Sequence, residues 1–134
     1  MASVLYLVNN TAQDVIADGL VSPGFVRHRN CQSQATLEGN AIRIVGSGYF
    51  SIIVSATVSA PAAGNIEIGL YQDGSQIQGA VASETITTAN TQVRNLTIVA
   101  EILKKCDGIT TLTLVNTGAE ATFQNLAIRV KRDA

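Results

Sequence analysis

The sequence predicts an all-β fold, an antiparallel sandwich or barrel of about eight to ten strands in a single domain. Three observations carry this. The run Gly46–Pro61 sets Phe50, Ile52, Val54, Ala56 and Val58 on one face and Tyr49, Ser51, Ile53, Ser55, Thr57 and Ser59 on the other, the period-two pattern of a strand. Thr91–Ile102 alternates in the same way, with Arg94, Leu96, Ile98, Ala100 and Ile102 against Val93, Asn95, Thr97, Val99 and Glu101. Turn signals recur about every ten residues along a chain with only two prolines, and helical spacing is almost absent.

The remaining elements follow in order. Val4–Val8 is a short strand, Asn9-Asn10-Thr11 and Asp18-Gly19 are turns, and Gly24–Arg29 is a short extended piece. Gln34–Leu37 and Ala41–Val45 bracket the turn Glu38-Gly39-Asn40. After the long strand, Pro61–Gly64 is a connection. Asn65–Gln72 alternates Ile66, Ile68 and Leu70 against polar neighbours and ends in Asp73-Gly74, a strong two-residue hairpin signal. Ser75–Gln78 is the returning strand, and a small-residue stretch, Ala80–Ser83, leads into Glu84–Thr87. Beyond the second long strand, Lys104–Gly108 turns, Ile109–Val115 is a strand rich in Thr, Leu and Val, and Asn116-Thr117-Gly118 turns again. Ala121–Val130 closes the fold with Leu126, Ile128 and Val130 on one side.

Composition narrows the function classes. Of 134 residues, 46% are hydrophobic and 14% charged, against about 25% charged in an average soluble domain. Few charges predict that part of the surface is covered. A net charge of −1 gives no field suited to nucleic acid or an acidic membrane. The basic end Arg129-Val130-Lys131-Arg132 has too few charges and no interleaved aromatics, and reads as a solvated strand end. Met1–Asn9 has no basic segment before its short apolar stretch, so no secretory signal is expected, and no run approaches the roughly 20 apolar residues that cross a bilayer. Cys31 and Cys106 match no metal or redox spacing. They are expected as unpaired thiols, with a bridge between them not excluded by spacing.

Catalytic signals are sparse. His28, between Arg27 and Arg29, is the one histidine, and a metal site or a cupin-type enzyme needs a cluster of ligands. Gly46-Ser47-Gly48 lacks the Gly-x-Ser-x-Gly pattern of a nucleophile elbow and precedes a strand rather than a helix. The carboxylates are scattered, and no pair stands out as acid and base. No catalytic residue, cofactor or metal ligand is assigned. Glu101 is singled out by its place on the less apolar face of its strand, where it would either stand in water or pair with an Arg or a calcium ion.

Four segments carry a resemblance. Ile42–Ile52, with Gly48-Tyr49-Phe50 opening the long strand, resembles the strand pair of the tumour necrosis factor and complement-type globular-head jelly rolls. Ile68–Gly74 resembles their Leu-x-x-Asn-Gly hairpin, with Asp73 in place of Asn. Cys106–Leu114 is similar to their Gly-Asp-x-Val-x-Leu segment, with Cys106 where Gly is usual. Ala121–Leu126 resembles the Thr-Phe-x-Gly that begins the last strand, with Asn125 replacing Gly. The order is the same, over residues from about 40 onward. The closer similarity is to small bacteriophage and bacterial versions, in which Leu70–Gly74 and Thr111–Gly118 have counterparts.

The resemblance implies a two-sheet antiparallel jelly-roll sandwich, with 34–134 as its core and 1–33 as N-terminal strands or an arm. Such domains occur in virion fibres, head or tail appendages and spore-surface glycoproteins, and are usually compact homotrimers. In such trimers one sheet of each protomer faces the three-fold axis. The interface would then be formed by Tyr49, Ser51, Ile53 and Ser55 with Val93, Asn95, Thr97 and Val99, and Glu101 at its mouth. The expected function is therefore a non-enzymatic structural homotrimer. It would be a bacteriophage or prophage virion component, made in the bacterial cytoplasm without a signal peptide, which touches a host-surface glycan or other virion proteins. A spore-surface head would need Gly-x-y repeats upstream. The alternative is a bacterial surface or carbohydrate-binding module of the same fold, poorly supplied with stacking aromatics at 4% and no Trp.

Overall fold

The computed structural model describes residues 3–30, 33–104 and 108–133. Their strands are β1 (Val4–Asn9), β2 (Gln13–Val15), β3 (Phe25–Arg29), β4 (Ala35–Glu38), β5 (Ala41–Val45), β6 (Gly48–Ser59), β7 (Gly64–Gln72), β8 (Ser75–Ile86), β9 (Arg94–Lys104), β10 (Ile109–Asn116) and β11 (Ala121–Arg132). They form two antiparallel sheets. The first runs β3-β1-β11-β6-β9, with β2 also on β11; the second runs β4-β5-β10-β7-β8. The chain crosses between sheets after β3, β5, β6, β8, β9 and β10, so neighbours in sequence mostly sit in opposite layers: the wiring of a jelly roll.

Alternation builds the core. From the first sheet, Leu5, Leu7, Phe50, Ile52, Val54, Ala56, Val58, Leu96, Ile98, Ile102, Phe123, Leu126, Ile128 and Val130 point inward and are buried. Ile42, Ile44, Ile66, Ile68, Leu70, Leu112 and Leu114 meet them from the second. Each large side chain removed from water stabilises the fold by about 1.5–3 kcal/mol. Cys31 and Cys106, and with them the question of their pairing, lie outside the described residues.

Special backbone geometry falls at the joints. Asp73 (φ +52°) and Gly74 (φ +87°) are both left-handed, as a tight hairpin turn between β7 and β8 requires. Asn125 (φ +51°) makes a bulge in β11, where pairing with β6 shifts between Gln124 and Ala127. The bulge switches the inward phase from Phe123 to Leu126. It sits where the partner on the opposite side of β11 changes from β1, at Asn9↔Leu126, to β2, at Gln13↔Phe123. Asn tolerates this conformation better than other residues with a Cβ, which explains how it stands in for the Gly of similar chains.

Several boundaries differ from the sequence reading. Ser75–Gln78 and the stretch that follows are one strand, β8. Gly79 (φ +82°) lets it bulge, so that Ile77–Ala80 span the length that β7 covers with Leu70 alone. The second long strand starts at Arg94 and runs on to Lys104 rather than spanning Thr91–Ile102, and Arg94 is exposed instead of joining the core. β2, three residues long, carries too little pattern to be seen in the sequence. The segment before residue 34 supplies β1, β2 and β3 to the first sheet.

Asn116 ends β10 rather than opening a turn, and is fully buried. Its Nδ2 donates to the carbonyls of Val15 (3.0 Å) and Ala119 (2.9 Å) and more weakly to that of Ile16 (3.3 Å), while its Oδ1 accepts from the Gly118 N–H (3.1 Å). One amide thus ties the second sheet to the end of β2 and the residue after it. Asn116→Ala leaves buried carbonyls without donors and is expected to cost about 2–3 kcal/mol in urea unfolding, with an unchanged denaturant slope.

Candidate assembly face

The outward side of the first sheet is where the two long strands bring their less apolar residues together. β6 and β9 pair Tyr49↔Leu103, Ser51↔Glu101, Ile53↔Val99, Ser55↔Thr97 and Thr57↔Asn95. All ten residues point away from the core, and the Thr57 hydroxyl donates to Asn95 Oδ1 at 3.3 Å. Val93 lies just before β9, exposed, and is not part of the strand. The expected site residues on β6 and β9 therefore lie on one continuous face. Ser51 and Ile53 are half-buried because β6 has a strand on either side, whereas β9 is an edge.

The face extends further than the sequence reading placed it. Leu103 joins it opposite Tyr49, since β9 continues past Ile102 in unbroken phase. On the other side of β6, β11 brings Lys131 beside Ser51, Arg129 beside Ile53 and Ala127 beside Ser55. Next, β1 sets Val4, Tyr6 and Val8 against Lys131, Arg129 and Ala127. At the far edge β3 adds Phe25 against Val8 and His28 against Tyr6. The inward phase of Leu126, Ile128 and Val130 already implied that Ala127, Arg129 and Lys131 face outward; which strand they flank was not readable.

Four of the eleven large hydrophobic side chains exposed among the described residues lie on this face. Phe25 is 71% exposed, Val99 67%, Leu103 47% and Tyr49 45%, with serines and threonines between them. Large apolar groups on one sheet face make it a candidate surface for association. Small Ser51, Ser55 and Thr97 present little steric bulk, so another backbone can approach closely.

Other groups singled out in the sequence do not converge. His28 is exposed on β3. Among the described residues no three His, Cys, Asp or Glu side chains are placed to hold a metal ion. The Glu67 carboxylate accepts from the Thr117 hydroxyl (2.8 Å) and Asp73 Oδ1 from the Thr111 N–H (2.9 Å), both joining elements of the second sheet. Gly46-Ser47 connects β5 to Gly48 at the start of β6 and is held by the Gln34 amide, whose Nε2 donates to Val45 O at 2.8 Å and Ser47 O at 3.3 Å. A shallow cleft of about 250 Å³ lies on the second sheet between Glu38, Ala41, Arg43, Ile109 and Thr111. Arg43 Nε is 3.9 Å from the Glu38 carboxylate there.

Solved structures share this architecture across nearly the whole chain. Eiger TNF from S. frugiperda superposes over 100% of this chain and 92% of its own, with a TM-score of 0.75 at 13% identity. Murine APRIL at pH 5.0 covers 98% and 99%, with a TM-score of 0.73 at 10% identity. The fold is a TNF-like jelly roll. The globular domain of zebrafish complement 1qA protein is similar over 96% of this chain and 94% of its own, with a TM-score of 0.66 at 6% identity. Identities this low make the likeness one of fold. No protein-family model and no curated protein sequence matches the chain.

Three of the four segments that carried the resemblance fall at joints of the jelly roll. Gly48-Tyr49-Phe50 opens β6, Asp73-Gly74 turns β7 into β8, and Thr122–Asn125 carries the bulge of β11. At the fourth, Cys106 lies outside the described residues and Ile109–Leu114 is β10. For the exposed face, Val99→Ser combined with Leu103→Ser is expected to leave monomer stability within about 0.5 kcal/mol in chemical unfolding. The same pair should weaken association through this face about tenfold or more in sedimentation velocity.

Proposed function

We propose that the chain is a non-enzymatic structural protein that assembles as a compact homotrimer through the outward face of the first sheet. We further propose that it serves as a bacteriophage or prophage particle component, a head or tail fibre or appendage that contacts a host surface. The observation that carries the assembly is that face itself: Tyr49, Ile53, Val99 and Leu103 are set among small polar residues on neighbouring strands of a jelly-roll sheet. The resemblance to a superfamily of usually trimeric domains supports three copies. The similarity of Leu70–Gly74 and Thr111–Gly118 to bacteriophage versions supports the particle.

A stable assembly of this kind buries on the order of 1,000 Å² or more per protomer. In that setting Ile53 is at the centre of the face, between Val99 and Arg129. The cleft beside Glu38 and Arg43 on the opposite sheet favours a second reading, a bacterial surface module that binds a polar ligand such as a glycan.

Light scattering at micromolar concentration is expected to give three times the 14.0 kDa of the chain; a monomer overturns the assembly. Ile53→Asp places a carboxylate at the centre of the face and is expected to yield monomer with a native far-UV CD spectrum, or to unfold the protein. An unchanged trimer would refute the orientation of β6 in it. Genes for capsid, portal or tail proteins beside this one are expected, and metabolic neighbours would count against the particle. Saturable binding to a glycan panel, lost on Arg43→Ala, would favour the second reading.

A further inference from the structure

The face that exposes these apolar groups also carries charge, and on β9 and β11 the charge is divided between its two sides. Glu101 stands on the edge strand β9, exposed. Arg129 and Lys131 stand on β11, exposed, with β6 between them and the acid. The register sets Glu101, Ser51 and Lys131 in one transverse row and Val99, Ile53 and Arg129 in the next. Glu101 is thus two strand spacings from the cations, about 10 Å between backbones, and is not directly opposite them as a cross-strand pair would be. Among the described residues, none of the three makes an ion pair within the chain.

We propose that Glu101 of one copy docks against the Arg129–Lys131 column of a neighbouring copy, so that the edge of one first sheet lies over the centre of the next. This rests on the self-association proposed above and specifies its partner and alignment. Covering Tyr49, Val99 and Leu103 takes Glu101 out of water with them, and an ionised carboxylate left unpaired there opposes assembly. The chain supplies the complement itself, on the same face but displaced from Glu101. Copies stacked with like sides in contact set acid against acid and cation against cation. Copies offset by the width of β6 set acid against cation, which favours that alignment over the first. A second copy is therefore the occupant that satisfies the apolar and the charged groups together.

Charge reversal tests this in the full chain, by sedimentation and light scattering. Glu101→Arg is expected to raise the dissociation constant of the assembly about tenfold or more. Its thermal unfolding as a monomer should be unchanged, because Glu101 is exposed. The swap Glu101→Arg with Arg129→Glu and Lys131→Glu is expected to restore association to within about threefold of the wild type. Raising NaCl from 0.1 to 1 M, where the Debye length falls from about 10 to about 3 Å, is expected to weaken the wild type more than Glu101→Gln. A wild-type trimer that Glu101→Arg leaves intact, or a folded swap that stays dissociated, overturns this pairing and leaves the trimer standing. A monomeric wild type overturns the assembly as well. Monomer that binds heparin through Arg129 and Lys131 replaces the second copy by an anionic partner.

Discussion

The register of β6 between β9 and β11 is the constraint on which the rest of the structure depends. Successive residues of a strand face opposite sides, so a shift by one position would turn Phe50, Ile52, Val54, Ala56 and Val58 outward and bury Ser51, Ser55 and Ser59. The pairing Gly48↔Lys104 through Val58↔Arg94 runs without interruption. On the other side, the Asn125 bulge absorbs the one irregularity. The same register that builds the core therefore also sets which residues meet on the outer face. Tyr49 beside Leu103 and Ile53 beside Val99 are consequences of burying Phe50 and Ile52.

Much of this was legible in the sequence because it rests on local alternation. Both long strands, their inward residues apart from Arg94, and the Asp73-Gly74 hairpin follow from period and turn chemistry alone. Boundaries were less legible where a single backbone angle decides them: Gly79 joins two expected pieces into β8, and no side-chain pattern announces a bulge. Long-range partners were the least legible. That β11 lies beside β6, and so places Arg129 and Lys131 on the same face as Glu101, is a property of topology. Asn116 is a further case, since its amide serves carbonyls of Val15 and Ile16 that are distant in sequence.

Low charge content and the jelly-roll architecture are related physically. One face of the first sheet forms the core, and the other sets a few charges, Glu101, Arg129 and Lys131, among apolar and small polar groups. The fold supplies a rigid platform for that second face, and the residues of the platform decide what it meets. At 13% identity, this chain shares the fold of Eiger TNF and few of its side chains.

The central place of β11 also orders events in time. It pairs with β1, β2 and β6, yet every other strand precedes it in the chain, and Lys131 must find Val4 across almost the whole length. Such distant pairings make folding slow compared with that of helical domains. During synthesis the earlier strands of the first sheet have no middle to close upon until β11 emerges from the ribosome. The surface on which Tyr49, Arg129 and Glu101 stand together does not exist before that moment. Any docking through that face therefore waits for β11, the last of the described strands to be made.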